Sequence, residues 1–213
     1  MNVSPKLLKG GIVLIDAQTS AVQRVIALQY NPESLSRSLQ IQASGEGGDR
    51  SEALRLTGPP VETIRIEVEL DATDRLDEGD STASEVGIHP QLAALETLVY
   101  PLSGRLEQNN QLAAAGTIEI LPMEAPLALF VFGRTRVVPV RLTELTVTEE
   151  AFDTALNPIR AKVGLGLRVL TVDDVGFDHK AGSLFMSYLQ QKEGLAARNS
   201  GGTIGSLGLA AIP

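Results

Sequence analysis

A chain of 213 residues, 43% hydrophobic and 21% charged, carries enough apolar material for one substantial core and has the composition of a folded, water-exposed protein. It has no cysteine, which excludes disulfides and thiolate metal or redox centres; two histidines and no tryptophan leave little for imidazole catalysis or for stacking platforms. A net charge of −8 argues against nucleic-acid binding by phosphate neutralisation.

The acidity is local. Ser44 to Pro90 holds 12 acidic residues against 4 arginines, whereas the 14 acidic and 14 basic residues elsewhere cancel. No window approaches the roughly 18 apolar residues of a spanning helix. The apolar run Ile12 to Ile15 stops at Asp16, too short for a secretory leader, so synthesis and folding in the cytosol are expected.

Gly11 to Asp16 reads as a first strand and Val22 to Tyr30 as a second, with Gln18-Thr19-Ser20 turning between them. Asn31-Pro32-Glu33-Ser34 breaks the pattern before Leu35, Leu39 and Ile41 resume it, so the second and third strands are expected to form a meander. Ala43 to Pro60 is a polar loop. Val61 to Asp71 alternates cleanly, with Ile64, Ile66, Val68 and Leu70 inside and Arg65, Glu67, Glu69 and Asp71 outside. Asp71 to Gly87 carries no period. A helix is predicted from Pro90 to Tyr100, with Leu92, Leu95, Leu98 and Val99 on one face, ended by Pro101. Leu102 to Ala115 is ambiguous and admits a second helical piece before Gly116.

Thr117 to Leu121 and Leu127 to Phe132 read as strands around Pro122 to Pro126. The latter is apolar on both faces and so belongs inside the sheet. Val137 to Val169 reads as a long two-stranded ribbon. Its return arm is apolar at Ile159, Ala161, Val163, Leu165, Leu167 and Val169, and carries Arg160, Lys162, Gly164, Gly166 and Arg168 between them. The outgoing arm is apolar at Val138, Val140 and Leu142, then changes phase to Leu145 and Val147, which predicts an inserted bulge residue at Thr143–Glu144. Ser183 is the expected cap of a terminal helix that packs Leu184, Phe185, Tyr188 and Leu189 inward. Residues 1–198 then form one domain, and 199–213 a Gly/Ser/Ala tail, flexible or ordered by a partner. The fold class is mainly β, within α+β: an antiparallel barrel or sandwich with one internal helix and one C-terminal helix.

No motif points to catalysis. The loop Gly45 to Arg50 is glycine-rich, but no Gly-Lys-Ser/Thr follows and its acids would repel a phosphate. Asp71, Asp74, Asp77, Glu78, Asp80 and Glu85 lack the alternate spacing and central glycine of a calcium loop, so a solvated acidic segment is expected and no metal. Gly205-Ser206-Leu207-Gly208 lacks the first glycine of a nucleophile elbow. His179 beside Asp178 and His89 before Pro90 read as structural, and Glu67 and Glu69 share a wet strand face. No cofactor is expected.

Several phrases carry a resemblance: RVIALQYNPESLSRSLQ (Arg24 to Gln40), GGDRSEALRLTGPPVETI (Gly47 to Ile64), GIHPQLAALETLVYP (Gly87 to Pro101), the run from Ala125 to Leu170, and FDHKAGSLFMSYLQQKE (Phe177 to Glu193). Over about residues 9 to 198 the chain resembles the tube-protein family of contractile injection systems, the phage-tail-like particles of bacteria. The resemblance implies a tail-tube fold whose long strands join subunits into a six-fold ring around a channel. It also implies a place at the baseplate, between the spike hub and the inner-tube protein and beside baseplate wedge proteins, with release as part of the particle. Related adaptors often continue into a LysM-type domain, where this chain has the tail from Asn199. On this reading Val138, Val140, Leu142, Leu145, Val147, Ile159, Val163, Leu165, Leu167 and Val169 belong to an inter-subunit ribbon. Arg141, Glu144, Arg160, Lys162 and Arg168 face either the channel or solvent. A repeated inner-tube subunit is the alternative within this class. A cell-envelope or glycan-binding module, and a cell-wall hydrolase using two carboxylates, are the rivals from other classes.

Overall fold

The computed structural model describes residues 8–43, 55–116 and 126–212. Seven strands, β1 (Gly11–Ile15), β2 (Val22–Ala27), β3 (Leu35–Gln40), β4 (Val61–Asp71), β5 (Leu127–Val131), β6 (Val137–Phe152) and β7 (Pro158–Val169), form one antiparallel sheet in the order β2-β1-β5-β6-β7-β4-β3. The mainly β, α+β class read from the sequence is the fold observed. β5 lies between β1 and β6 and is buried on both faces, as its unbroken apolar run requires. The expected strand Thr117–Leu121 and the loop Gly45–Arg50 lie outside the described residues.

The expected meander of the second and third strands does not form. β2 pairs only with β1 and β3 only with β4, so the two occupy opposite edges of the sheet. Seven strands about 4.8 Å apart make a flat sheet about 29 Å wide. Seven residues, 28–34, must cross from one edge to the other. That segment is not extended. Asn31 folds back onto the residues that lead into β1, accepting from Gly10 N–H at 2.9 Å and donating to Leu8 O at 2.8 Å. The sheet must therefore roll. Gln29 shows that it does: two residues beyond β2, its side-chain amide bonds both the N–H and the C=O of Asp71 at the end of β4.

Rolling encloses the apolar faces. Ile64, Ile66, Val68 and Leu70 of β4 join Ala161, Val163, Leu165, Leu167 and Val169 of β7 in one core. Among the described residues, four helical pieces lie between β4 and β5, where one helix and a possible second were expected: α1 (Thr73–Asp77), α2 (Ser81–Val86), α3 (His89–Glu96) and α4 (Ser103–Ala114), the last falling on the ambiguous stretch. α1 and α2 are too short to show a period. Asp80 caps α2, accepting from Ala83 N–H at 2.8 Å. Ile88, Leu92 and Leu95 from α3 and the turn before it plug the core, whereas α4 buries no residue. After β7, a capping box of Thr171 and Asp174 starts α5 (Val172–Val175). The terminal helix α6 (Lys180–Ala196) begins earlier than predicted: His179, not Ser183, is the cap, its Nδ1 accepting from Ala181 N–H at 3.1 Å. That start places Ala181, Phe185 and Tyr188 on one buried face. Residues 199–212 are exposed and contain a 3-10 turn, Ile204–Leu207.

Candidate assembly surfaces

The β6–β7 ribbon has the predicted bulge. Leu142 pairs with Leu167 and Glu144 with Gly166, leaving Thr143 as the unpaired residue. The apolar ribbon positions face the chain's own core. Val138, Val140, Val163, Leu165, Leu167 and Val169 are buried, and Leu142, Leu145, Val147 and Ile159 pack partly buried against them. Their side chains stabilise the fold.

Arg141, Glu144, Arg160, Lys162 and Arg168 share that polar face. Arg168 lies directly across from Arg141, and Glu144 across from Gly166. Each cation on β7 has an acid. Arg160 bonds Asp71 at 2.8 Å, Lys162 approaches Glu150 at 3.7 Å, and Arg168 bonds Asp174 on α5 at 2.6 Å. Burial pushes the Asp71 carboxyl up, but bonds from Thr73 and Arg160 outweigh it and hold the group below the ordinary aspartate value. A shallow trough of about 400 Å³ crosses the face, lined by Ser36, Arg65, Glu67, Glu144, Thr146 and the two glycines. The glycines follow from the bulge. A Cβ on Gly166 would lie 2.9 Å from Glu144 Cβ and 3.2 Å from Thr143 Oγ1, and one on Gly164 would collide with Thr146 Oγ1.

The edge of β6 changes character along its length. β5 pairs only with Val137–Val140. Among the described residues, Arg141–Phe152 has no strand on that side. The direction of the free groups follows from two bonds: Leu170 N–H donates to Pro139 O, and Ala72 N–H to Ile159 O. Even-numbered residues of β7 therefore turn their backbone toward β6, where Glu144, Thr146, Thr148 and Glu150 answer them. The N–H and C=O groups of Leu145, Val147 and Glu149 point outward, as a template for another strand.

A site that the sequence reading missed lies under α6. Glu62 falls on the apolar phase of β4 and is only 3% exposed. Arg37 bonds its Oε1 at 2.7 Å, the Tyr188 hydroxyl donates to the same oxygen at 3.1 Å, and Lys192 bonds Oε2 at 2.8 Å. Burial pushes this carboxyl up, and Lys192 and Arg37 together more than offset it, leaving Glu62 below its ordinary value. The Lys192 ammonium also sits 4.1 Å from the Tyr188 ring centroid. The signal was an acid in an inward register. Its consequence is a polar lock that fixes α6 to the edge pair β3–β4.

Two acids of the segment Asp71 to Glu85 do local work: Asp71 holds Thr73 and Arg160, and Asp80 caps α2. Among the described residues, no group of three or more His, Asp or Glu side chains converges to hold a metal ion, and no helix is long and apolar enough to cross a membrane. The exposed rings Tyr30, Tyr100, Phe152 and Phe177 lie on separate segments and do not line the trough.

Comparison with protein-family models and with curated proteins gave no match. Among solved structures, the chain is similar to a chain in the tail of an empty gene transfer agent particle computed with C6 symmetry, at 13% identity and a TM-score of 0.30, covering 76% of this chain and 90% of that one. It is also similar to a chain of the virion of a native gene transfer agent particle, at 12% identity and a TM-score of 0.27, covering 75% of this chain and 90% of that one. Identities this low leave function to be read from the chain itself.

Proposed function

We propose that this protein is a structural subunit of a phage-tail-like contractile particle, forming a six-fold ring at the baseplate that joins the spike hub to the inner tube. The observation that carries the reading is the outward edge of β6 from Arg141 to Phe152. A long strand, paired on one side, presents backbone groups on the other that have no partner among the described residues. β2 and β3 present two further edges. A closed ring satisfies such edges by giving each subunit a neighbour, whereas an isolated chain leaves them in water. The sequence phrases quoted above supply the particle, and the edges supply the means of joining. On this reading the protein is a scaffold and not an enzyme. It needs no cofactor, and the paired charges of the polar face serve as a lining or an outer surface.

The test is the molar mass by light scattering, alone and mixed with the neighbouring tube and hub proteins. A chain that enters a six-fold ring, alone or on mixing, supports the reading. One that stays monomeric with every partner over a wide concentration range removes it. Copy number in the assembled particle separates the adaptor, present in one ring or a few, from a repeated tube subunit present in many.

A further inference from the structure

The rolled sheet does not close. β3 pairs with β4 only as far as Ile66, so among the described residues Glu67–Asp71 has no strand on that side. Across the gap lies the outer edge of β2, which β1 leaves free. The two edges border a cleft of about 560 Å³ lined by Val25, Ile26, Leu28, Val68, Leu70 and Leu95, with Arg24 and Arg75 as its only ionisable residues. Backbone parity makes both edges receptive. Asp71 N–H turns to Gln29 while Ala72 N–H turns to β7, so Glu67 and Glu69 also point into the gap. Leu28 N–H turns to Gly10, so Val25 and Ala27 point into it from the other side. At the end of the seam, the Gln29 amide already does for Asp71 what a strand would do with its backbone. A glutamine side chain with its hydrogen bond spans roughly the two ~4.8 Å spacings that one inserted strand occupies.

We propose that this seam is an acceptor for one extended strand, and that the strand is the tail segment Gly205–Ile212 of a second copy of the chain. The tail has the required chemistry. From Asn199 to Ile212 it carries no charge, and Ile204, Leu207, Leu209 and Ile212 are exposed on their own chain. Leu207 and Leu209, two residues apart, would share one strand face, toward Ile26, Val68, Leu70 and Leu95. Gly208 and Ala210 would share the outer face with Val25, which is 62% exposed. The cost is small. The tail's one regular feature, the 3-10 turn, rests on short-range bonds, chiefly from Ser206 to Thr203. Strand addition replaces these with ladders to two edges, the mode in which backbone bonds give affinity and alternate side chains give specificity. The tail lies exposed on its own chain, which favours the neighbour as donor. The proposal shares with the ring reading only the presence of a second copy.

The chain contains no cysteine, so introduced thiols report cleanly. Full-length Val25→Cys and full-length Ala210→Cys, mixed and oxidised, can give a mixed disulfide only between chains, because cross-strand neighbours sit within disulfide reach. The expected result is a mixed disulfide several-fold above that of a control pair of Thr146→Cys with Ala210→Cys. It should be lost when Leu207→Asp and Leu209→Asp are added to the tail partner. A yield no greater than the control, with both proteins folded by circular dichroism, overturns the proposal. So does a Val25→Cys/Ala210→Cys double variant that closes within single chains while the mixed pair does not. Light scattering on the same samples separates the two readings: rings without the disulfide remove the tail contact alone, and the disulfide without rings removes the ring alone.

Discussion

One strand, β6, has two fates. Val137–Val140 is paired along its whole length with β5, Pro139 and Val140 are also tied to the end of β7, and Val138 and Val140 are buried to 2% exposure or less. From Arg141 onward the same strand has only β7 as a partner among the described residues, and its inward residues are half-buried. The division falls beside the bulge at Thr143, where the strand re-aims its side chains. The contrast separates what the fold requires from what it leaves unused. The first four residues are held from both flanks, whereas the longer remainder is a paired strand with one edge unpartnered among the described residues.

The largest expected effect tests the shared interior. Leu167 is fully buried and joins β6 to β7 across the bulge. Leu167→Ala should cost about 2–5 kcal/mol, read as a fall in the urea midpoint with little change in slope. An effect near zero would mean that the ribbon is not part of the monomer's core, and the division of β6 would lose its basis.

Next in size is a pair of neighbours on the second half. Thr148 turns its backbone to β7 and Glu149 turns outward, as the pairing parity requires. Thr148→Pro removes a ladder donor and should destabilise the monomer by about 1–3 kcal/mol. Glu149→Pro removes a donor that has no partner among the described residues. It should leave the unfolding midpoint close to that of the parent while reducing entry into the ring, read by light scattering. Equal damage to folding from both variants would show that the outer edge is occupied within the chain.

The Glu62 lock sets a third comparison, between the buried carboxylate on β4 and the solvated ones around it. Its carboxyl titrates below its ordinary value in the folded state, so the unfolded chain binds a proton more readily. Its contribution is complete above the unfolded value, near 4.5, and is lost as pH falls through the lower folded value. The melting temperature should therefore fall between pH 5 and the acid limit more steeply for the parent than for Glu62→Gln, and Lys192→Met should cost about 1–3 kcal/mol at neutral pH. Parallel pH curves for parent and Glu62→Gln would deny the lock any role in stability.

How much of this was legible in the sequence depends on whether the information is local. β4 spans Val61–Asp71, as its alternation predicts, and the phase change from Leu142 to Leu145 located the bulge. Those are properties of one strand. The strand order is not: whether Val22–Ala27 pairs with Gly11–Ile15 or with Leu35–Gln40 is decided by the rolling of the whole sheet, and no period in the chain reports it. The open edge of β6 and the seam beside β2 are consequences of that order, so neither could be read in advance. The apolar ribbon positions were legible as buried, but the pattern does not say in whose core. Glu62 was visible as an acid in an inward register, and its partner Lys192 lies 130 residues away.

The smallest expected effect concerns the two glycines opposite the second half of β6. A strand glycine ordinarily weakens the strand, so replacing it with alanine should help wherever there is room. Here the bulge has turned Glu144 and Thr146 over β7, and a Cβ on Gly166 would meet Glu144 Cβ at 2.9 Å, closer than such atoms sit. Gly166→Ala should therefore destabilise by about 1 kcal/mol, because the obstacle is the first carbon of a side chain held by a paired strand and not a movable tip. A second change separates this cause from any general intolerance of alanine. Combined with Glu144→Gly, which removes the obstructing carbon, Gly166→Ala should cost measurably less than it does alone, read as non-additivity of unfolding midpoints. Additive costs would mean that the glycines answer to something other than the bulge, and the turn of Glu144 across β7 would no longer account for the trough on the polar face.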